Sequence, residues 1–292
     1  MILILGGSGY VGSAFRRVLE RKDVPYRSIA RESVDYTNPD LLAALIKDSG
    51  AQFLINCAGF TGRPNVDACE KHKAETLFGN SVLPGRITKG CEQAGIPWGH
   101  VSSGCIFSGD GPDGEGFSET DTPNFDFRNG PSSFYSGTKS LGEEILEGRP
   151  DVFIWRLRIP FDENPGPRNY LSKLMFYDRL LEARNSISHL EEFAEACWQC
   201  WEKRVPFGTY HVTNRGSILT SEIIEMIRNS KLSEKEFSFF ESEEEFMKVA
   251  AIAPRSNCVL STEKLSSVGI KMSEVHDAVA KAIHGWPREK NQ

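Results

Sequence analysis

The chain opens on Met1-Ile2-Leu3-Ile4-Leu5 and runs at once into Gly6-Gly7-Ser8-Gly9-Tyr10-Val11-Gly12. No other feature restricts the fold as strongly. A short unbroken apolar run reads as a strand buried on both faces, the kind that parallel sheets use. Gly7, Gly9 and Gly12 satisfy G-x-G-x-x-G, and Gly6, Gly9 and Gly12 satisfy G-x-x-G-x-x-G. Both spacings allow a tight turn, close backbone approach to a pyrophosphate, and tight packing of helix on strand. The helix that follows directs free N–H groups and its positive dipole end at the same point. Gly6, Gly9, Tyr10, Val11 and Gly12 are therefore candidate cofactor contacts.

Strands and helices alternate beyond this loop. Strands are expected at Pro25–Ala30, Gln52–Cys57, Pro97–Ser102 and Val152–Leu157. Helices are expected at Ala14–Arg21, Pro39–Ser49 and Phe134–Glu147, and through Val66–Gln93 with a break near Gly79–Pro84. Such alternation implies right-handed βαβ units and an α/β, doubly wound parallel sheet of the Rossmann type. Residues 1–160 read as the nucleotide-binding lobe. It is rejoined by about 187–215, where helix Leu190–Lys203 and strand Gly208–Thr213 fall. Residues 161–292 read mainly as a smaller α/β lobe for substrate. Its helices are expected at Ser221–Asn229, Glu241–Ala250 and Ser273–His284. Ser108–Ser132 is rich in Gly, Pro, Asp and Asn, and a loop that long inside a compact domain is usually functional.

Composition narrows the function. Lys and Arg number 34 against 40 Asp and Glu, a net charge of −6. That argues against nucleic acid as a partner. With 39% hydrophobic and 25% charged residues the chain reads as globular. It has no apolar run of ~18 residues to span a membrane. Seven scattered cysteines fit a reducing, cytoplasmic compartment. Cys197 and Cys200 lack a second pair at metal spacing and read as helix-face core residues. The six histidines show no ligand spacing, so no metal is expected.

Two further features carry chemistry. After the second strand, Ser28 and Arg31 stand where NAD-binding sheets often place an acid for the ribose 2′-OH. This favours a 2′-phosphate and hence NADPH, with NADH left open; Asp35 and Tyr36 are expected at the adenine end. Tyr135 and Lys139 form Y-x-x-x-K at a helix start, on one helical face. The ammonium is expected to lower the phenol's pKa, which otherwise lies near ~10. Ser103 closes the fourth strand, at the sheet end where such folds bind ligands.

Through the glycine loop, Asn56-Cys57-Ala58-Gly59, Ser103 and Tyr135/Lys139, the sequence resembles the extended short-chain dehydrogenase/reductases. The resemblance implies that Tyr135 acts as general acid toward a carbonyl, assisted by Ser103 and Lys139. It adds Cys57, Ala58 and Gly59 to the cofactor contacts, and loosely implies that Asn80 shapes the site. A narrower resemblance rests on NCAGFTGRPNVDACE (56–70), GCIF (104–107), ETDTPNF (119–125), FYSGTK (134–139), PRNYLSK (167–173) and APRSN (253–257). It is to the nucleotide-rhamnose synthase/epimerase-reductase group and, more distantly, to dTDP-4-dehydrorhamnose reductase.

That group implies a nucleotide-linked 4-keto-6-deoxyhexose as substrate, epimerised at C3 and C5 and then reduced at C4. It points to L-rhamnose on a nucleotide, UDP before dTDP or GDP. A reductase lacking the epimerase step is the alternative. Cys105 and Lys173 match the group's acid/base pair; without the resemblance they would read as a small buried residue and a surface lysine. Arg63, Asn65, Gly104, Asn169 and Arg255 are the further expected substrate contacts, with arginine forks suited to a diphosphate. The superfamily also implies a homodimer through the helices of Val66–Gln93 and Tyr135–Glu147. Two departures stand out. Ala68 replaces the group's usual Trp, and Gly137 stands where a Lys is frequent.

Overall fold

A computed structural model describes residues 1–287. Six parallel strands form the central sheet: β1 (Ile2–Leu5), β2 (Tyr26–Ile29), β3 (Phe53–Asn56), β4 (Trp98–Ser103), β5 (Val152–Leu157) and β10 (Gly208–His211). Their order is β10-β5-β4-β3-β1-β2. The chain reverses its direction of winding between β1 and β3, and the crevice beyond those two strand ends is where such sheets bind ligands.

Helices cover both faces. On one face α1 (Tyr10–Arg21) lies beside α8 (Leu190–Glu202). Phe15, Phe193 and Trp155 fill the space beneath them, together with Cys197 and Cys200. The other face carries α2 (Pro39–Ser49), α5 (Leu83–Ala94) and α6 (Phe134–Leu146) over Leu3, Leu54, Ile87 and Ile154. Local chemistry sets the helix ends. Asn38 caps α2 by accepting from Asp40 N at 2.9 Å, and Gly50 stops it at φ +64°. Ser133 caps α6 by accepting from Ser136 N at 3.0 Å.

The expected break near Gly79–Pro84 falls elsewhere. Short helices α3 (Asp67–Lys71) and α4 (Lys73–Leu77) part at His72. A π-helical turn, Phe78–Val82, then leads into α5 without interruption. Pro84 sits in the first turn of α5, where its missing N–H costs little.

The second lobe is built from short pieces. Three two-stranded sheets pair β6 (Pro160–Phe161) with β9 (Ser188–His189), β7 (Arg179–Leu180) with β12 (Ser238–Phe239), and β8 (Arg184–Asn185) with β11 (Ile218–Leu219). They pack with α7 (Tyr170–Phe176), α9 (Thr220–Asn229) and α12 (Val275–His284) around Phe161, Leu171, Ile224 and Val279. Helices α10 (Glu243–Val249) and α11 (Glu263–Ser267) complete the chain. The segment 108–132 is irregular, and bridges from Gly109 to Cys258 and Phe117 to Leu260 pin it to the second lobe.

Candidate active site

The glycine loop forms a cradle between strand ends. Gly6 has φ +72°, and a Cβ there would lie 2.7 Å from Ala58 N. A Cβ on Gly12 would lie 2.3 Å from Gly6 O. Gly9 caps α1 with no side chain, so no capping oxygen takes up the helix's first N–H groups. Asn56 holds the next turn. Its Oδ1 accepts from Ala58 N at 3.0 Å, and its Nδ2 donates to His100 Nδ1 at 3.0 Å. Gly59 brings this turn against α6, since a Cβ there would lie 3.8 Å from Lys139 Nζ. These residues fit a dinucleotide: bare backbone at the pyrophosphate position and a buried lysine beyond it.

The adenine side needs correction. Tyr36 is only 4% exposed and belongs to the core, so its ring does not line a ligand site. It instead underlies Arg31, whose guanidinium carbon sits 5.7 Å from the ring centre. Asp35 is exposed, and hydrogen bonds from the Thr37 hydroxyl and N–H hold its carboxyl below the usual range. Burial pushes the Tyr10 phenol well up, and the nearby Asp162 carboxylate adds to this.

Ser103, Tyr135 and Lys139 come together as expected. The Ser103 hydroxyl accepts from Cys105 N at 3.2 Å and faces the Tyr135 phenol, which it pulls down against burial. Lys139 lies one turn after Tyr135 and donates from Nζ to Val101 O at 3.2 Å. Burial pushes the Lys139 ammonium down, against the pull of Cys105 and Glu143. The expected lowering of the phenol by Lys139 is not found. Burial pushes Tyr135 well up, Cys105 adds to this, and Ser103 opposes it. The phenol thus rests protonated, the state a general acid needs. Asn80, on the π-helical turn, accepts from Phe60 N at 2.9 Å and donates to Thr138 Oγ1 at 3.2 Å. It fastens the loop after β3 to α6.

Behind α6 lies a buried ionic network that sequence reasoning missed. Arg156 Nη2 donates to Glu143 Oε2 at 2.7 Å and its Nε to the same oxygen at 3.0 Å. Ser102 Oγ also donates to Glu143. Arg156 Nη1 lies 2.9 Å from His211 Nε2. The signal was present: an arginine inside the wholly buried strand VFIWRL must have a partner.

Cys105 is buried beside Tyr135 and Phe107. Burial pushes its thiol up; hydroxyls of Ser103 and Ser136 and the charges of Arg158 and Lys139 pull it back. Lys173 projects from α7, and burial lowers its ammonium, followed by repulsion from Arg168 and Arg255. Arg168, which sequence proximity suggested as the cation that helps lower Lys173, also grips the loop after β3 through Thr61 Oγ1 at 2.6 Å and Gly62 O at 2.9 Å.

Two expected substrate contacts are already occupied. Arg255 gives both ends of its fork to Asp67, at 2.8 Å each, and so joins the lobes instead of standing free for a diphosphate. Asn169 is fully buried. It caps α7 through Leu171 N at 2.9 Å and donates to Asp162 and Asn164, which leaves no group for substrate. Arg63 is exposed, and Asn65 Oδ1 accepts from Asp67 N at 2.9 Å. Gly104 allows close passage of Leu260, which a Cβ would meet at 2.5 Å.

A parallel sheet with a glycine cradle at its switch point and a Ser–Tyr–Lys group beside it defines a Rossmann-type fold of the dinucleotide-binding class. Comparison with known proteins narrows this. Residues 1–286 match the RmlD substrate binding domain, and the chain belongs to that family. It is 32% identical over 289 residues to an Arabidopsis thaliana bifunctional dTDP-4-dehydrorhamnose 3,5-epimerase/dTDP-4-dehydrorhamnose reductase, covering 96% of this chain and 91% of that one. It is 30% identical to an Arabidopsis trifunctional UDP-glucose 4,6-dehydratase/UDP-4-keto-6-deoxy-D-glucose 3,5-epimerase/UDP-4-keto-L-rhamnose-reductase, over 99% of this chain but 42% of the relative. The fold is similar to that of the UDP-rhamnose synthase of Acanthamoeba polyphaga mimivirus, with TM-score 0.88 at 24% identity over 97% and 98% of the two chains. It is also similar to a dTDP-4-dehydrorhamnose reductase from Bacillus anthracis in complex with NADP, with TM-score 0.80 at 19% identity over 97% and 96%.

Proposed function

We propose that this protein is an NAD(P)H-dependent 4-ketoreductase of a nucleotide-linked 4-keto-6-deoxyhexose, which also epimerises C3 and C5 and yields a nucleotide-linked L-rhamnose. UDP is the preferred carrier. The observation that carries the reading is one cluster. In it a half-buried phenol, Tyr135, packs against a buried thiol, Cys105, whose backbone N–H donates to the Ser103 hydroxyl at 3.2 Å. A reductase alone needs only the phenol and the serine.

The residues have separable tasks. A 4-ketone acidifies the hydrogens on both flanking carbons. In its thiolate form Cys105 takes one of these protons; the C–H bond breaks, S–H forms, and the electron pair moves to the C4 oxygen as an enolate. Lys173 in its ammonium form then returns a proton to that carbon, and the pair moves back to restore the ketone. Inversion follows when the two groups serve opposite faces of the ring. The lowering of the Lys173 ammonium by burial and by Arg168 and Arg255 supports this, because an ammonium pushed down gives up its proton more readily than a free lysine. In the final step the Tyr135 phenol gives its proton to the C4 oxygen. Ser103 holds that oxygen, and Lys139 holds the ribose beside it. When bound, NAD(P)H supplies the hydride to C4; Arg31 and Ser28 favour the 2′-phosphate form.

The test is deuterium incorporation at C3 and C5 in D₂O, followed with UDP-, dTDP- and GDP-4-keto-6-deoxyglucose. Exchange is expected in the wild-type protein and lost in Cys105→Ser and Lys173→Ala. Exchange that survives both variants removes the acid/base assignment. Reduction without exchange leaves the ketoreductase alone. We also propose a homodimer through the helices of residues 66–93 and α6, supported by the exposed Leu77 at the end of α4, Val82 at the end of the π-helical turn and Ile145 on α6. Sedimentation of Val82→Arg should then show a monomer.

A further inference from the structure

Arg158 lies just past the end of β5 and is only 6% exposed. A guanidinium at that depth ordinarily faces a carboxylate, because an unpaired buried charge is costly. Among the described residues no ion pair includes Arg158. Nη2 donates to Asn185 Oδ1 and to Ser256 O, both neutral acceptors. Nε is buried and has no partner. Arg156, two residues earlier, has its carboxylate in Glu143, so the fold supplies one where it is needed. The Arg158 stem passes beneath the active site, where a Cβ on Gly104 would lie 3.5 Å from Arg158 Cδ. The next residue is Cys105.

Among the described residues, the groups set against Cys105 include no carboxylate. From α6 come Tyr135 and Lys139, from α3 Cys69, and from the end of β5 Arg158. Cys258 donates its thiol to Gly104 O at 3.3 Å. Ser136 reaches the Cys105 thiol and is itself braced by Ser133 Oγ at 2.8 Å. Arg168 acts on Cys69 and Tyr135 from the second lobe.

We infer that Arg158 is a positioning residue: its unpaired guanidinium is the built-in counter-charge for Cys105 in the anionic state. Asn185 and Ser256 hold the fork without neutralising it. The charge therefore remains available for the transient thiolate, which is matched when it forms and leaves only a braced cation when it is protonated. Ser136 and Ser103 supply hydroxyl donors to the same sulfur. The inference rests on the reading of Cys105 as an acid/base. It also explains why Gly104 precedes that cysteine: a side chain there would strike Leu260 at 2.5 Å and crowd the arginine stem.

The test reads Cys105 without substrate. Alkylation by iodoacetamide is followed at the Cys105 peptide by mass spectrometry across pH 6–10, with Cys105→Ser as blank. Arg158→Gln is expected to move the midpoint up by about one unit and slow alkylation near neutrality about tenfold. Arg158→Lys keeps the charge and should stay within about threefold of wild type. Asn185→Asp keeps the arginine but pairs it with a carboxylate, and should move the midpoint in the same direction as Arg158→Gln. This variant serves if Arg158→Gln does not fold. A wild-type midpoint in Asn185→Asp, or in a folded Arg158→Gln, overturns the inference; so does a rise in KM with an unmoved profile, which would make Arg158 a substrate grip. Absence of C3/C5 exchange in the wild-type protein would instead remove the epimerase reading and leave the Arg158 profile interpretable.

Discussion

Single residues here are legible when their chemistry is, and misleading when their surroundings decide. Tyr135, Lys139, Ser103 and Cys105 are distinctive in sequence and meet in space. Replacing Tyr135 by Phe should slow 4-ketone reduction at least ~10²-fold, read as NADPH oxidation, with cofactor affinity kept. A loss below tenfold would mean another proton donor. Arg255, Asn169 and Tyr36 have equally suitable chemistry, yet their groups are taken by Asp67, by a helix cap and by the core. Gly137 has a reason that spacing did not show. A Cβ there would lie 2.3 Å from the Phe127 ring, which rests on the bare backbone. Gly137→Lys, the residue frequent in the similar group, should displace Phe127 and cost about 1–3 kcal/mol in urea unfolding. A second change, Phe127→Ala, should recover most of that loss.

At the scale of elements, helix α6, which carries Tyr135 and Lys139, owes its position to what lies behind it. Glu143 is one turn past Lys139 and is held by Arg156 and Ser102. Glu143→Gln leaves Arg156 buried without a counter-charge and should destabilise the protein by about 3–5 kcal/mol. The apparent pKa of Lys139 should also fall, because Glu143 supports its ammonium. Urea unfolding and the acid limb of the reductase profile read these two effects separately. Gly142 lets α6 touch the π-helical turn, where a Cβ would lie 2.1 Å from Asn80 O. The strands, glycine loop and most helices were legible because their periods and caps are local. The π-helical turn and the break at His72 were not, since packing of α4 and α5 on α6 chooses them.

For the whole molecule, the lobes are joined across the cleft by Asp67–Arg255 and by Arg168 on the loop after β3. Burial pushes the Asp67 carboxyl up, but hydrogen bonds from Arg255 and Ala253 N outweigh it and hold the group below the usual range. Its folded-state pKa is therefore the lower one. The stability it contributes is present at neutral pH and lost as pH falls through the carboxylate range. Asp67→Asn should lower Tm at pH 7, with the gap to wild type closing as the pH falls through and below the carboxylate range. A gap of constant size across that range would show that the pair contributes nothing. Ala68 belongs to the same joint. It lies against Gly62, whose Cβ would come within 3.0 Å of its own, so the similar group's Trp would force this loop apart.

The sequence by itself determined the doubly wound sheet, its glycine cradle and the Ser–Tyr–Lys chemistry, because each depends on neighbours a few residues apart. Only the tertiary structure decided which charges are free. Arg255 is spent on a residue 188 positions away, while Arg158 faces two neutral acceptors drawn from distant segments. Whether a cation is paired is a property of the space around it, and that space is assembled from parts of the chain that no local pattern connects.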